Sequence, residues 1–316
     1  MKLKPIIPFE PIKTETIPHG NDWISQVKWD GVRLLTYYDG KEVRLFNRKR
    51  NERTYHYPEL LNISSYCKAQ SVILDGEVIA LDESGTPSFR TVMKRDGIRR
   101  LDKAKQLQHQ IPIAYMIFDV IYYNGKWIHT KTLSERLHVL SEIITPTKAV
   151  QIVPSFSDHE ALFQAIQANN MEGIVLKHVN SPYYINRKND RWRKKKNYLD
   201  LYAVVGGIEY EHKLIRSFLL GAYNEHYDLI YIGHAGTGHL KQRDMEIVAK
   251  AAQSITVKQC PFKNQPEKLR EKTIWIEPKL TVKVQFLEWL PNTRMRHPVI
   301  QSFVNVSPLE CKLQNE

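Results

Sequence analysis

Cysteine is scarce in this 316-residue sequence: Cys67, Cys260 and Cys311 stand far apart, and none belongs to a Cys-x-x-Cys pair. That spacing excludes a zinc ribbon and a disulfide framework, and reduced thiols in a cytoplasmic protein are the expectation. Long apolar runs are missing too. None approaches the ~18 residues of a membrane span. The opening Met1-Lys2-Leu3-Lys4-Pro5-Ile6-Ile7-Pro8 lacks the roughly 7–15-residue apolar stretch of a signal peptide. Internal repeats are absent, and no pair of histidines has His-x-x-x-His spacing, so no metal is assigned to them. What the chain does have is positive charge. Lys plus Arg is 46 against 34 Asp plus Glu, a net +12. A surplus of that size favours a polyanionic partner, although charge alone does not separate DNA from RNA or an anionic membrane. Hydrophobic residues at 42% and charged residues at 25% are ordinary for a globular protein, which excludes intrinsic disorder. The length suits two domains at ~150 residues each.

Hydrophobic patterning predicts mixed strands and helices over the first two-thirds. Leu34 to Tyr38 and Glu42 to Phe46 flank Asp39-Gly40, a tight-turn dipeptide. Ala114 to Tyr123 and Lys126 to Ile128 flank Asn124-Gly125 in the same way. Val72 to Leu81 carries Asp75-Gly76-Glu77 within an apolar strand pattern, and buried polar residues need partners. Ser134 is expected to cap a helix from Glu135 to Ile144, and Ser157-Asp158-His159-Glu160 to open another through about Ala168, ended by Asn169-Asn170. Arg187 to Lys196 is the densest charge run, with seven basic residues and one Asp, 7 − 1 = +6. Beyond it the pattern turns strand-rich, through Tyr202–Ile208, Ser217–Tyr223, Leu229–Ile232 and Leu280–Leu287, with one helix near Asp244 to Ser254. That composition fits a small barrel of the OB type, with the boundary near residue 200. Lys94 to Lys105 is a basic patch that reads equally as a DNA-facing loop or a solvated helix. Gly236-Thr237-Gly238-His239 is too short for a P-loop.

The sharpest motif is Lys28-Trp29-Asp30-Gly31-Val32-Arg33. A lysine amine is protonated near neutral pH and becomes nucleophilic only when neighbouring cations or desolvation lower its pKa. Four further blocks follow it: Phe46-Asn47-Arg48, then Leu74-Asp75-Gly76-Glu77-Val78-Ile79, Tyr115-Met116-Ile117-Phe118-Asp119 and Glu172-Gly173-Ile174-Val175-Leu176-Lys177. Trp192-Arg193-Lys194-Lys195-Lys196 closes the series. This order resembles the covalent nucleotidyltransferases, and most closely the small bacterial ATP-dependent DNA ligases, including the ligase module of bacterial end-joining enzymes. The resemblance continues through Val204-Val205-Gly206-Gly207, Trp275-Ile276-Glu277-Pro278 and Arg294-Met295-Arg296-His297-Pro298, and so covers essentially the whole chain.

The resemblance implies an α+β nucleotidyltransferase (adenylation) domain, residues 1–200, followed by an all-β OB-fold domain, residues 201–316. It implies ATP and Mg²⁺ (or Mn²⁺) as cofactors and nicked duplex DNA as partner. A monomer at the bacterial nucleoid is expected, with no membrane and with an end-binding protein left open. Lys28 would be the adenylylated residue, Phe118 would stack on adenine, and Glu77 would contact the ribose. Gln26 stands where the family often has Glu accepting from the adenine amino group, and a Gln carbonyl can do the same. Arg33 and Arg48 match phosphate-gripping positions, and Lys177 is placed with the nucleotide ligands. Lys194 and Lys196, two apart on a strand, would point at one phosphate, while Lys195 faces away. Glu172, with Glu77, would hold the metal. Lys28 attacks the α-phosphate of ATP, AMP passes to the 5′-phosphate at a nick, and the 3′-hydroxyl then displaces AMP.

One block departs from the pattern. Where relatives close with Arg-x-Asp-Lys, this chain reads Val304-Asn305-Val306-Ser307. In the family those charges orient pyrophosphate, so Arg294 or Arg296 is expected to supply the missing charge, with a slower first step. Two alternatives stay open: a nicked-DNA-binding protein with impaired self-adenylylation, and an RNA ligase or capping-type enzyme. An NAD-dependent ligase is disfavoured by the 27 residues before Lys28 and the unpaired cysteines.

Overall fold

The computed structural model describes residues 3–313 except Ser84, Lys213, His239, Glu267, Lys268, Arg270 and Glu271. It divides into two compact units, residues 1–197 and 198–316. The division falls between Asn197 and Tyr198, just before a strand that begins at Leu199.

The first unit contains strands β1 (Glu10–Lys13), β2 (Trp23–Val27), β3 (Val32–Tyr38), β4 (Val43–Asn47), β5 (Val72–Ile79) and β6 (Ala114–Tyr123). Four more follow: β7 (Lys126–Trp127), β8 (Val150–Ile152), β9 (Gly173–His178) and β10 (Lys188–Lys196). Its helices are α1 (Phe89–Asp96), α2 (Ala104–Gln110), α3 (Leu133–Ile143) and α4 (His159–Ala168). The larger sheet runs β4-β3-β5-β6-β7, with β8 pairing β6, and the smaller one runs β1-β10-β9-β2.

Period-2 alternation gives the larger sheet two buried faces. Leu34, Val72, Leu74 and Val78 join one core with Tyr115, Ile117 and Leu140 of α3. Leu35, Tyr37 and Ile73 point the other way and pack with Phe9, Tyr183 and Trp192. Arg33 and Glu77 lie on this second face, directly opposite one another across the β3–β5 ladder, whose register places Arg33 against Glu77 and Leu35 against Asp75. The odd-numbered face of β5 thus carries its carboxylates into the region bounded by Trp192 of the smaller sheet.

Local chemistry explains the ends of the elements and corrects four expectations. The turn at Asp39-Gly40 pairs Tyr38 with Val43, so its loop has four residues, one more than the expected strands left between them. Asp39 Oδ1 accepts from the backbone N–H of Lys41 and Glu42. Asn124-Gly125 is the two-residue turn expected, with both residues at positive φ and Tyr123 paired to Lys126. Helix α3 is capped by Thr132, not Ser134, through a full capping box with Glu135. Asp158, not Ser157, caps α4 and accepts from the N–H of Ala161. The basic patch splits between α1, a 3-10 turn and α2. Arg95 is buried there, donating to Glu59 and to the carbonyls of His56 and Ile111, so neither surface reading covers it.

The second unit holds β11 (Leu199–Glu211), β12 (Leu214–Tyr223), β13 (Leu229–Gly236), α5 (Gln242–Ser254), β14 (Thr256–Val257) and β15 (Thr273–Phe286). The strands β16 (Trp289–Leu290), β17 (Arg294–Met295) and β18 (Val299–Val304) complete it. Strands β13-β12-β11-β15-β14 follow one another, and β18 joins β15. Val205, Phe218, Leu220, Ile232, Val282, Val284 and Ile300 form its core, which Val248 and Ala252 of α5 cover. This is the OB-fold domain that the strand-rich tail pointed to. His239 of the Gly-Thr-Gly-His stretch lies outside the described residues.

Candidate active site

Three strand ends meet at one edge of the smaller sheet. Lys28 follows β2, and its backbone N–H donates to the carbonyl of Gly173, 2.9 Å away. Glu172 precedes β9, and Lys196 ends β10 opposite Gly173. Lys28 Nζ lies 2.5 Å from Glu172 Oε2, and Lys196 Nζ lies 2.9 Å from Oε1, so one buried carboxylate holds two ammonium groups. Burial alone would raise the Glu172 carboxyl, but Lys28 and Lys196 together hold it below the usual carboxylate range.

Two glycines permit this approach. A Cβ at Gly173, where φ is +147°, would stand 2.2 Å from the carbonyl oxygen of Lys195. A Cβ at Gly31 would stand 2.1 Å from the carbonyl oxygen of Val78, so the glycine of Lys-x-Asp-Gly lets the loop that follows Lys28 lie against β5.

Beside Lys28 a cavity of about 580 Å³ opens, lined by Gln26, Lys28, Arg33, Arg48, Glu77, Phe118, Lys177 and Lys194 among others. That size suits a small-molecule ligand. Gln26 and Lys194 share its face because both lie opposite Val175 in the β2-β9-β10 ladders. Lys194 is lowered by burial and then by the nearby cations Lys28, Lys196 and Lys188. Lys195 points the other way, as expected, with its Nζ donating to the carbonyl of Glu15 and lying 4.8 Å from the centre of the Phe163 ring.

Lys177, buried at 2% exposure, sits with its Nζ 4.3 Å from the centre of the Phe118 ring and 4.1 Å from that of Trp192. Burial pulls its ammonium down to about 7. Burial pushes the Glu77 carboxyl up to about 8 against the pull of Lys28 and Arg33, with Glu172 and Asp75 adding to the rise.

Arg33 is less free than its place in the motif suggested. Its Nε and Nη2 donate to the two oxygens of Asp75 at 2.9 and 2.6 Å, and Nη2 also reaches Tyr183 Oη at 3.2 Å. Burial alone would lower its guanidinium, and Asp75, Tyr183 and Glu77 together more than offset this. Tyr183 Oη in turn donates to Asp75 at 2.6 Å and accepts from the N–H of Phe9. Arg48 is half-exposed, with its Nη1 3.4 Å from Glu10. Arg296 belongs to the second unit, where it is paired with Glu288 at 2.6 Å. Arg294, in the same unit, donates to the carbonyl of Tyr231 and lies over its ring.

Sequence reasoning missed Tyr183 and the fully buried pair Arg136–Asp119, joined by two bonds of 2.7 and 2.9 Å. The signal was present at Asp75 and Asp119, charged residues inside apolar strands, but nothing in the chain order named their partners. Buried atoms also stand without hydrogen-bond partners among the cavity residues: Gln26 Oε1, Trp29 Nε1 and Trp192 Nε1. An unpaired buried donor or acceptor costs about 1–3 kcal/mol unless a ligand satisfies it.

The family model described as "ATP dependent DNA ligase domain" matches residues 8–196, and that described as "ATP dependent DNA ligase C terminal region" matches residues 211–304. The chain is 35% identical over 178 residues to the SPbeta prophage-derived DNA ligase-like protein LigB of Bacillus subtilis (strain 168), covering 56% of this chain and 62% of that protein. It is 26% identical over 283 residues to the multifunctional non-homologous end joining protein LigD of Mycobacterium bovis, covering 87% of this chain and 35% of that protein. The chain thus spans less than two-thirds of either relative. Among solved structures, a mycobacterial DNA ligase D complexed with ATP and MES aligns over 98% of both chains at 23% identity with a TM-score of 0.50. A Lig E DNA ligase covers 93% of this chain and 99% of its own at 17% identity, with a TM-score of 0.59. At these identities the structural likeness speaks for the fold. With the two family models matching in chain order and the first spanning more than half the residues, the chain belongs to the ATP-dependent DNA ligase family.

Proposed function

We propose that this chain seals nicks in duplex DNA with ATP, through AMP carried first on Lys28 Nζ and then on the 5′-phosphate of the nick. One observation carries the reading: Lys28 is held by a buried carboxylate that also binds Lys196, at the edge of a cavity with room for a nucleotide. The cavity's unpaired buried groups suit a purine, with Gln26 Oε1 able to accept from a 6-amino group and Trp29 Nε1 able to donate to a ring nitrogen or other acceptor. Phe118 offers a ring face beside them.

In the first step Lys28, freed from Glu172 and with its proton passed to solvent, attacks the α-phosphorus through its neutral amine. A P–N bond forms, the P–O bond to pyrophosphate breaks, and pyrophosphate carries off the electron pair. Lys194 and Lys196 stand where negative charge grows on phosphate oxygens, and stabilising that charge is the main source of rate in phosphoryl transfer. Glu172 and Glu77 would hold a Mg²⁺ (or Mn²⁺) ion. Glu172 raises the cost of ionising Glu77, a cost that a bound cation would offset, and Mg²⁺ usually takes one or two carboxylates beside substrate phosphates. Such an ion would polarise the phosphate oxygens as a Lewis acid. The end-joining role in the LigD relative's name makes a DNA end-binding protein the partner to test.

Intact mass after incubation with ATP and Mg²⁺ tests the reading. A gain of one AMP in the wild type, absent in Lys28→Ala and released on nicked DNA, is expected. No gain in protein shown to start free of AMP overturns self-adenylylation. The second reading, a nick binder with a crippled first step, is favoured by the uncharged Val304–Ser307 segment, which Thr281 Oγ1 engages through the carbonyls of Val304 and Val306. The AMP gain on Lys28 separates the two, and pre-adenylylated nicked DNA then shows whether a chain that fails the first step still seals or only binds.

A further inference from the structure

Tyr183 lies in the segment between β9 and β10, and the strand pattern on either side asks for no hydroxyl there. Its backbone N–H donates to the carbonyl of His129 at 2.7 Å, and Arg136 Nη1 donates to the carbonyl of Ser181 at 3.1 Å, so the segment is pinned to the first unit. Tyr183 is 1% exposed. Its Oη meets three groups: the N–H of Phe9 at 3.1 Å, Arg33 Nη2 at 3.2 Å and Asp75 Oδ2 at 2.6 Å. An amide N–H and a guanidinium only donate, and a carboxylate only accepts. The single phenolic proton therefore goes to Asp75, and both lone pairs are taken.

The hydroxyl decides which edge Arg33 turns to Asp75. A guanidinium pairs with a carboxylate side-on, through Nε and one Nη, or end-on, through both Nη. Here Nε and Nη2 donate to Asp75 Oδ1 and Oδ2, which is the side-on pair. The second N–H of Nη2 leans toward Nη1 and belongs to the edge an end-on pair would use, and Tyr183 Oη accepts it. Nη1 bonds to no described residue and is left for a ligand in the cavity. The guanidinium carbon lies 5.3 Å from the centre of the Phe118 ring and 5.9 Å from that of Trp192, and flat rings hold the group without choosing between its edges.

We propose that Tyr183 is a positioning residue whose hydroxyl holds Arg33 side-on to Asp75, so that Nη1 stays in the cavity as a donor to an anionic oxygen of the bound nucleotide. This rests on the reading of the cavity as a nucleotide site. Arg33 then meets its ligand through one nitrogen, because its fork is spent on Asp75. Without the hydroxyl the end-on pair opens and turns Nη1 onto Asp75, away from the ligand.

Tyr183→Phe keeps the ring, with its edge contacts to Phe9 and Trp192 at 5.9 and 5.7 Å, and removes only Oη. The probes are α,β-methylene-ATP with Mg²⁺, whose α–β bridge cannot break, and adenosine, which has no phosphate. Binding to the full chain is measured by calorimetry for the first and by NMR for the second. Tyr183→Phe should weaken the analogue about tenfold, the weight of one hydrogen bond to a charged group, and leave adenosine within about twofold. A hydroxyl that served packing alone would weaken both alike. In an Arg33→Lys background, where a lone ammonium has no second edge to turn, Tyr183→Phe should cost less than about twofold. The proposal is overturned if Tyr183→Phe weakens the analogue by less than about threefold, if adenosine weakens in proportion, or if the loss is as large in Arg33→Lys. Should Tyr183→Phe fail to fold, arginine labelled with nitrogen-15 in the wild type decides: the analogue should shift one Nη resonance of Arg33 and hold the other in place, and two shifted resonances or none overturn the lock. AMP attachment from ATP is followed in parallel by mass. Analogue binding with this Tyr183 dependence, without an adduct in protein shown to start free of AMP, overturns self-adenylylation and leaves the lock. An adduct in a protein whose analogue binding ignores Tyr183 overturns the lock alone, and a wild type that binds no nucleotide overturns both.

Discussion

The two carboxylates beside Lys28 make stability itself a reporter of the site. Glu77 rises from 4.5 to about 8 on folding, chiefly through burial. Between those values the folded protein keeps a proton that the unfolded chain has lost, so stability falls as pH rises through the window and levels off above about 8. A difference of about 3.5 units at 1.36 kcal/mol each sets a ceiling of ~5 kcal/mol, and partial solvent access brings the expected loss to ~2–5 kcal/mol. The assay is urea unfolding of the full chain from pH 4.5 to 8.5, followed by tryptophan fluorescence, on the wild type and on Glu77→Gln. Subtracting the variant cancels the titrating groups that do not interact with Glu77. The difference should drop toward high pH with a slope approaching ~1.4 kcal/mol per unit. Millimolar Mg²⁺ should flatten the wild-type profile by favouring the ionised carboxyl. Parallel stability profiles, differing by less than ~1 kcal/mol across the range, would refute the burial argument for Glu77.

Two further substitutions probe how the site is held. Asp75→Ala leaves the Arg33 guanidinium and Tyr183 Oη without their acceptor inside the first unit, and should cost about 3–5 kcal/mol in a denaturant titration. Gly173→Ala places a methyl against the Lys195 carbonyl at a backbone angle that L residues rarely adopt. It should cost about 1–3 kcal/mol and lower the rate of AMP attachment to Lys28 by more than the loss of folded protein explains, as read by mass over time.

Local chemistry is the part of the fold that was legible. Asn124-Gly125 announced its hairpin because positive φ at two successive positions has few other uses. The helix caps were misread by one or two residues, since Thr132 and Ser134, or Ser157 and Asp158, offer equivalent oxygens and only the entering backbone chooses between them. The alternation of Lys194, Lys195 and Lys196 was legible because a strand has only two faces. The partners of Asp75 and Asp119 were not, since Tyr183 is 108 residues from Asp75 and Arg136 reaches Asp119 from a helix. Hydrophobic period states that such a carboxylate is buried and says nothing of which cation meets it.

The same limit explains why the motif blocks look scattered and yet make one site. Lys28, Glu172 and Lys196 each sit at the end of a strand, and no property of any one block requires the others. Their meeting is a matter of register: β9 runs antiparallel to both β2 and β10, so the residue after one neighbour and the last residue of the other fall at its beginning. A slip of one residue in β10 would turn Lys195 inward and carry Lys194 and Lys196 to the opposite face, emptying the site of both cations at once. Gly173 limits that freedom, because only a residue without Cβ lets β9 begin against the Lys195 carbonyl. The Glu-Gly pair at the head of β9 therefore does two jobs in adjacent positions: the carboxylate gathers the lysines, and the glycine fixes which lysines arrive.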